Sequence, residues 1–234
     1  MALPKLNDVP KYDVIIPSTK QEIRFRPFLV KEQKILLMAL ETKDQKSILN
    51  AITDTLKSCI IDEININRLT SFDVEYLFTQ IRAKSVGEST KIGFLCTECE
   101  AENEVTIKLD DITIDVPKKN MSVRLNDQYT IDMKYPTYMA MLSEDIDSES
   151  GVDQIYNTLI LCLDKLRTDD DIIEFANESK EEIMSFIEQL STAQFEKIMD
   201  FINSIPSLHH ELNFDCTACG HENKAVLQGI NDFF

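Results

Sequence analysis

The sequence predicts an α+β protein of helical segments and short antiparallel strands, carrying a split four-cysteine zinc-ribbon-like module. Three observations predict it. The texture along the 234 residues runs hairpin, helices, strands, helices, strands, an order that segregates the two kinds of element rather than alternating them. Hydrophobic residues make up 43% of the chain, enough for a continuous core without disulfides. A short phrase built on CxxC occurs twice, each time between strand-like segments.

The first segment, YDVIIPSTKQEIRFRPF, predicts a β-hairpin with Val14–Ile16 and Ile23–Phe25 as strands and Pro17, Ser18 and Thr19 in the turn. From about Leu29 to Leu40, Ile35, Leu36, Met38 and Ala39 fall at helical spacing, and a second helix is expected from about Gln45 to Ile60. A third starts near Thr70, where Thr70-Ser71-Phe72-Asp73 resembles a capping box, and runs to about Ser85. Strands are expected on both sides of the first CxxC turn and again in DITIDV, MSVRL and QYTIDMKY. The stretch 141–200 is expected to be helical, with Ser179/Glu182 and Ser191/Gln194 opening two helices and Pro206 ending the second. Strand texture returns around the second CxxC. The expected segments are 1–89 (hairpin and helices), 90–135 (first knuckle and strands), 136–208 (acidic helices) and 209–234 (second knuckle and tail). Glu144–Gly151 is the expected flexible link.

Composition removes several function classes. Lys+Arg is 24 against Asp+Glu 41, a net charge of -17, which opposes binding to a nucleic-acid backbone over a large face. The 5 glycines provide neither a dinucleotide loop nor a P-loop, and with 3 His most acid–base sites would lack an imidazole. No catalytic residue is assigned. No apolar run approaches the roughly 18 residues needed to span a bilayer, and the start, MALPKLNDVPKYDV, does not have the pattern of a secretion signal. The expectation is a soluble intracellular protein that binds neither membrane nor nucleic acid.

Four of the 6 Cys form the pairs Cys96/Cys99 and Cys216/Cys219. FLCTECEAEN (94–103) and FDCTACGHEN (214–223) share Phe, Cys, Thr, Cys, Glu and Asn at equal offsets. Tetrahedral zinc takes four thiolates, and a two-residue spacer lets one tight turn present two of them. Two such knuckles make one structural site per chain, with no open position for a catalytic water. The metal would pin the ends of a long insertion and contribute on the order of 10 kcal/mol of apparent folding free energy. Competing readings are disulfides, a thiol-redox motif and unligated core thiols. His221 is either a substitute ligand or an exposed turn residue. Cys59 and Cys162 lie on apolar helical faces and are expected in the core.

The chain up to Lys34 carries seven Lys/Arg against four Asp/Glu, with Phe25 and Phe28 among Arg24, Arg26 and Lys31. It is either a solvated strand face or a dock for an acidic partner surface; reading nucleic acid would work against the net charge. Residues 141–200 hold 16 Asp+Glu and 4 Lys+Arg, and Asp169-Asp170-Asp171 lacks the alternation of a calcium loop, so a solvated helical face is expected. The terminal Phe233 and Phe234 are expected to be buried, against this chain's own ribbon or in a partner.

IRFRPFLVKEQKILLMALE (23–41), FDVEYLFTQIRAKSVGES (72–89), MKYPT (133–137) and LQGINDFF (227–234) resemble the T4-type bacteriophage baseplate hub family. The resemblance implies a non-enzymatic protein that helps build the hub of the tail baseplate in the host cytoplasm, through contacts with other phage hub or tail proteins. It is compatible with retention in the virion and with a transient assembly chaperone. A zinc-ribbon nucleic-acid binder is the rival of another class.

Overall fold

Ten short strands and seven α-helices follow one another along the described residues of the computed structural model, which are 9–109, 112–114, 116–117, 121–143 and 151–229. They fall into two compact units. One runs from the first described residues to 66, then 72–116, then from 207 onward; the other takes 67–71 and 117–206.

The first unit opens with the expected hairpin, β1 (Tyr12–Ile15) and β2 (Glu22–Phe25), antiparallel with Val14 opposite Ile23. Its turn leaves Ser18 to donate from N–H and Oγ to the buried Asp73 carboxylate, at 2.9 and 2.6 Å. Helix α1 (Val30–Thr42) starts where Glu32 accepts from the Leu29 N–H, and α2 (Gln45–Cys59) starts where Asp44 accepts from the Ser47 N–H. Helix α3 (Ser71–Val86) is apolar around most of its circumference and buries Phe72, Val74, Leu77, Phe78 and Ile81, as a central helix must.

Two hairpins complete this unit. Strands β3 (Ser89–Leu95) and β4 (Glu102–Lys108) pair antiparallel with Phe94 opposite Asn103. Downstream, β9 (His209–Asp215) and β10 (Glu222–Gln228) pair with Phe214 opposite Asn223. Alternation puts one face of each hairpin inward. Ile92, Val105 and Ile107 meet Leu212, Ala225 and Leu227 in one apolar cluster with Leu109 and Ile112. The Phe94 and Phe214 rings lie 5.6 Å apart within it.

The second unit holds a four-stranded antiparallel sheet ordered β5 (Ser122–Arg124), β6 (Thr130–Met133), β7 (Leu163–Arg167), β8 (Ile172–Glu174). Its other α-helices are α4 (Tyr138–Ser143), α5 (Gly151–Cys162), α6 (Lys180–Glu188) and α7 (Thr192–Ile202). Ile131, Met133, Leu163 and Leu166 of the sheet share a core with Leu159, Ile183, Ile187, Ile198 and Phe201 of the helices. Both capping boxes form as expected: Ser179 N–H donates to Glu182 at 3.0 Å and Ser191 N–H to Gln194 at 2.9 Å.

Two expectations need correction. The 141–200 stretch is not wholly helical, because β7 and β8 interrupt it. In DITIDV, residues 112–114 form no strand; Ile112 is instead buried among the hairpin side chains as part of a connecting segment. Of the expected link Glu144–Gly151, Gly151 is the first residue of α5 and residues 144–150 lie outside the described residues, as do the terminal Phe233 and Phe234.

Candidate metal centre

Each CxxC occupies the turn of a hairpin. In the first, Cys96 N–H donates to Ala101 O at 2.9 Å and Glu100 N–H to Cys96 O at 3.0 Å. In the second, Cys216 N–H donates to His221 O at 2.9 Å and Gly220 N–H to Cys216 O at 2.8 Å. The residue after each second cysteine takes a left-handed conformation, Glu100 at φ 58 and Gly220 at φ 73. Glycine suits that position; the first copy holds it without one. The match extends to the feet of the hairpins, where Leu109 N–H meets Glu88 O and Gly229 N–H meets Leu208 O, each at 2.8 Å.

The two turns bring Cys96, Cys99, Cys216 and Cys219 together, with all four Sγ atoms within 4.8 Å of one another. Cys96 lies 3.7 Å from Cys219 and Cys99 lies 3.6 Å from Cys216, sulfur to sulfur. Those separations are far beyond the roughly 2.05 Å of a disulfide. They suit four sulfurs around one ion, which at about 2.3 Å from it would stand about 3.8 Å apart. Cys96 and Cys216 are buried, while Cys99 and Cys219 are exposed.

Two asparagines lock the turns to each other. Asn223 Oδ1 accepts from Thr97 N–H and Oγ at 2.9 and 3.0 Å, and its Nδ2 approaches Cys96 Sγ at 3.6 Å. Asn103 does the same for the other turn: Thr217 N–H and Oγ donate to its Oδ1 at 2.8 and 3.0 Å, and its Nδ2 approaches Cys216 Sγ at 3.6 Å. The pattern is reciprocal, residue for residue. Sequence reasoning noted that Thr and Asn recur in both copies but gave them no role. The recurrence was the available signal, since a polar pair kept beside both CxxC turns has cross-turn bonding to gain.

The donors divide the thiols into two classes. Burial raises Cys96, but the N–H groups of Cys99 and Glu98 and the Asn223 amide outweigh it and bring the thiol below its ordinary value. Cys216 is pulled down to about 6, first by the Cys219 N–H, with the Ala218 N–H and Asn103 adding to it. At Cys99 the Ala101 N–H favours the thiolate, yet burial and the sulfurs of Cys216 and Cys96 carry the thiol upward. At Cys219 the His221 N–H acts in the same sense but is overcome, chiefly by the Cys99 sulfur, and the thiol is pushed up to about 12. A divalent cation among the sulfurs would allow all four to ionise.

His221 is exposed and contributes its carbonyl, not its ring, to the turn. Cys59 and Cys162 are buried away from this cluster, and burial pushes their thiols up to about 11 and about 12. Arg24 pairs with Asp62 at 2.6 Å, and Arg26 pairs with Glu32 and donates to Ser58 O, each at 2.8 Å. Arg24 thus ties β2 to the segment after α2, and Arg26, next to β2, ties the chain there to α1 and α2.

Against known families, residues 9–234 match the one described as T4 bacteriophage base plate protein. The chain belongs to this family. No curated protein and no solved structure matches it. A base plate protein is a structural part of a phage, which sets its working environment as contacts with other phage structural proteins. No described helix of this base plate protein is long and apolar enough to cross a membrane.

Proposed function

We propose that this base plate protein is a non-enzymatic component of the tail baseplate hub, assembled in the host cytoplasm through protein–protein contacts and stabilised by one structural zinc. The family match over residues 9–234 carries the proposal. The four-sulfur cluster supports the metal: Cys96, Cys99, Cys216 and Cys219 would hold it, and four thiolates complete a tetrahedral sphere. Zinc bound there is a cross-link between distant chain segments, with no position for a reacting water.

Quantitative mass spectrometry of purified virions tests the hub reading. A fixed copy number per particle is expected. Detection only in assembling intermediates would replace the hub reading with that of a transient chaperone. Phe233 and Phe234, with Arg24 and Arg26, remain proposed partner contacts, although both arginines already make bonds within the chain. The rival nucleic-acid reading makes a different demand. The net charge of -17 predicts no appreciable binding to duplex DNA, and salt-sensitive submicromolar binding in a gel shift would favour the rival.

A further inference from the structure

Helix α1 is far more apolar than its packing requires. It buries only Glu32 and Ala39, while Val30 is 79% exposed, Leu37 54% and Met38 56%. A helix apolar on several sides is built to be covered on more than one of them. Beside it runs a groove of about 280 Å³ in which Leu37 and Leu40 of α1, Ile48 and Ile52 of α2, and Phe78 and Val86 of α3 are among the lining residues. Scattered apolar side chains are ordinary, but a contiguous set around a groove marks a binding surface.

Charge indicates what fits. Among the lining residues the one ionic group is the cation Arg82, in a chain of net charge -17. Lys34, Lys43 and Lys46 are exposed close in sequence to the lining residues Leu37, Leu40 and Ile48. Of the acidic residues within 30–48, Glu32 is engaged with Arg26 and Asp44 with Ser47, while Glu41 is exposed, so this stretch carries four lysines against three acids. A second copy of the chain is poorly suited to fill the groove. Its acidic helices α6 and α7 already bury their apolar residues Ile183, Ile187, Ile198 and Phe201 in their own core, and like charge opposes self-association.

We propose that the α1–α2–α3 groove receives an amphipathic helix of another phage structural protein, apolar along one face and acidic at its margin. Helix-in-groove docking uses anchors at i, i+3, i+4 and i+7, with complementary charge at the rim steering the encounter. This deepens the base plate reading and rests on it.

The test is a benzoylphenylalanine photo-crosslinker placed at Leu37, and separately at Val86, in full-length chain made during phage infection, with the cross-linked peptide sequenced. Both positions are more than half exposed, so either replacement is compatible with folding. The expected adduct is a segment of a different phage protein with apolar residues at helical spacing and Asp or Glu beside them. Lys34→Glu is expected to lower its yield by about tenfold, as for loss of an interface contact. A peptide from a second copy of this chain would overturn the proposal. So would a basic segment, or adducts no more abundant than from a crosslinker at the exposed Asp127. If the chain is found in purified base plates while Leu37 and Val86 give no adduct, the groove proposal fails and the base plate reading stands. An adduct from a chain missing from all base plate assemblies would instead remove the reading beneath it.

Discussion

Asn103 and Asn223 are each 3% exposed, and each uses both ends of its amide on the opposite knuckle. Truncating Asn103 to alanine would leave the Thr217 N–H without its acceptor and remove a donor from Cys216. A loss of about 1–3 kcal/mol of stability is expected for a buried group left unsatisfied. A drop of about 10–100-fold in metal affinity is expected for losing a bond to a ligand. Competition with a calibrated chelator measures the second, and an unchanged affinity would show that the asparagines only pack. Glu75 poses a different problem, since burial raises its carboxyl to about 7 against the opposing Leu208 N–H. The folded state therefore holds the proton more tightly than the unfolded one, so this group favours folding at low pH. Its contribution falls as pH rises from the ordinary 4.5 through about 7. Glu75→Gln should raise the melting temperature more at pH 8 than at pH 5; an equal change at both would refute the assignment.

At the scale of elements, the capping boxes make the simplest forecast. Ser179→Ala and Ser191→Ala should each cost about 1 kcal/mol, read as separate losses in chemical denaturation. These caps were legible because Ser and Glu or Gln three residues on, ahead of an apolar run, specify the helix start locally. The hairpins around both CxxC pairs were legible for a similar reason, as alternation flanked a tight turn. Strand β7 was not. The register of β6 against β7 shifts between Asp132 and Met133, pairing them with Lys165 and Leu163 and leaving Asp164 as the extra residue. This places the buried Leu163 and Leu166 three residues apart, and a bulge that spaces apolar residues by three imitates a helix. Surrounding acid strengthened the misreading. In DITIDV the alternation was real, but Ile112 spends it on hairpin packing without joining a ladder. Alternation shows which residues turn inward, whereas a strand also needs a free edge to pair with. Nor did the sequence show that Val30, Ile35, Leu37, Met38 and Leu40 of α1 all stay exposed, because periodicity does not say how many sides a neighbour covers.

For the whole molecule, the two knuckles join chain segments separated by the 116 residues 100–215, and residues 117–206 of the second unit all lie within that span. Closing so long a loop carries an entropic cost that grows only slowly with length. A structural zinc site, worth on the order of 10 kcal/mol, would offset it. In the sequence, the terminal Phe233 and Phe234 come after residues 229–232, which follow the second hairpin. Deleting them should lower the melting temperature of the isolated protein if they pack on its own ribbon. An unchanged melting curve with lost co-assembly would assign them to a partner.

The central claim is that one zinc joins the two knuckles, and elemental analysis of protein purified without chelator, compared with Cys216→Ser, tests it most directly. About one equivalent of zinc per chain is expected for a four-thiolate site, with the metal lost and the β3–β4 and β9–β10 hairpins unprotected from hydrogen exchange in the variant. A wild-type protein that is free of metal yet fully protected in both hairpins would contradict the claim.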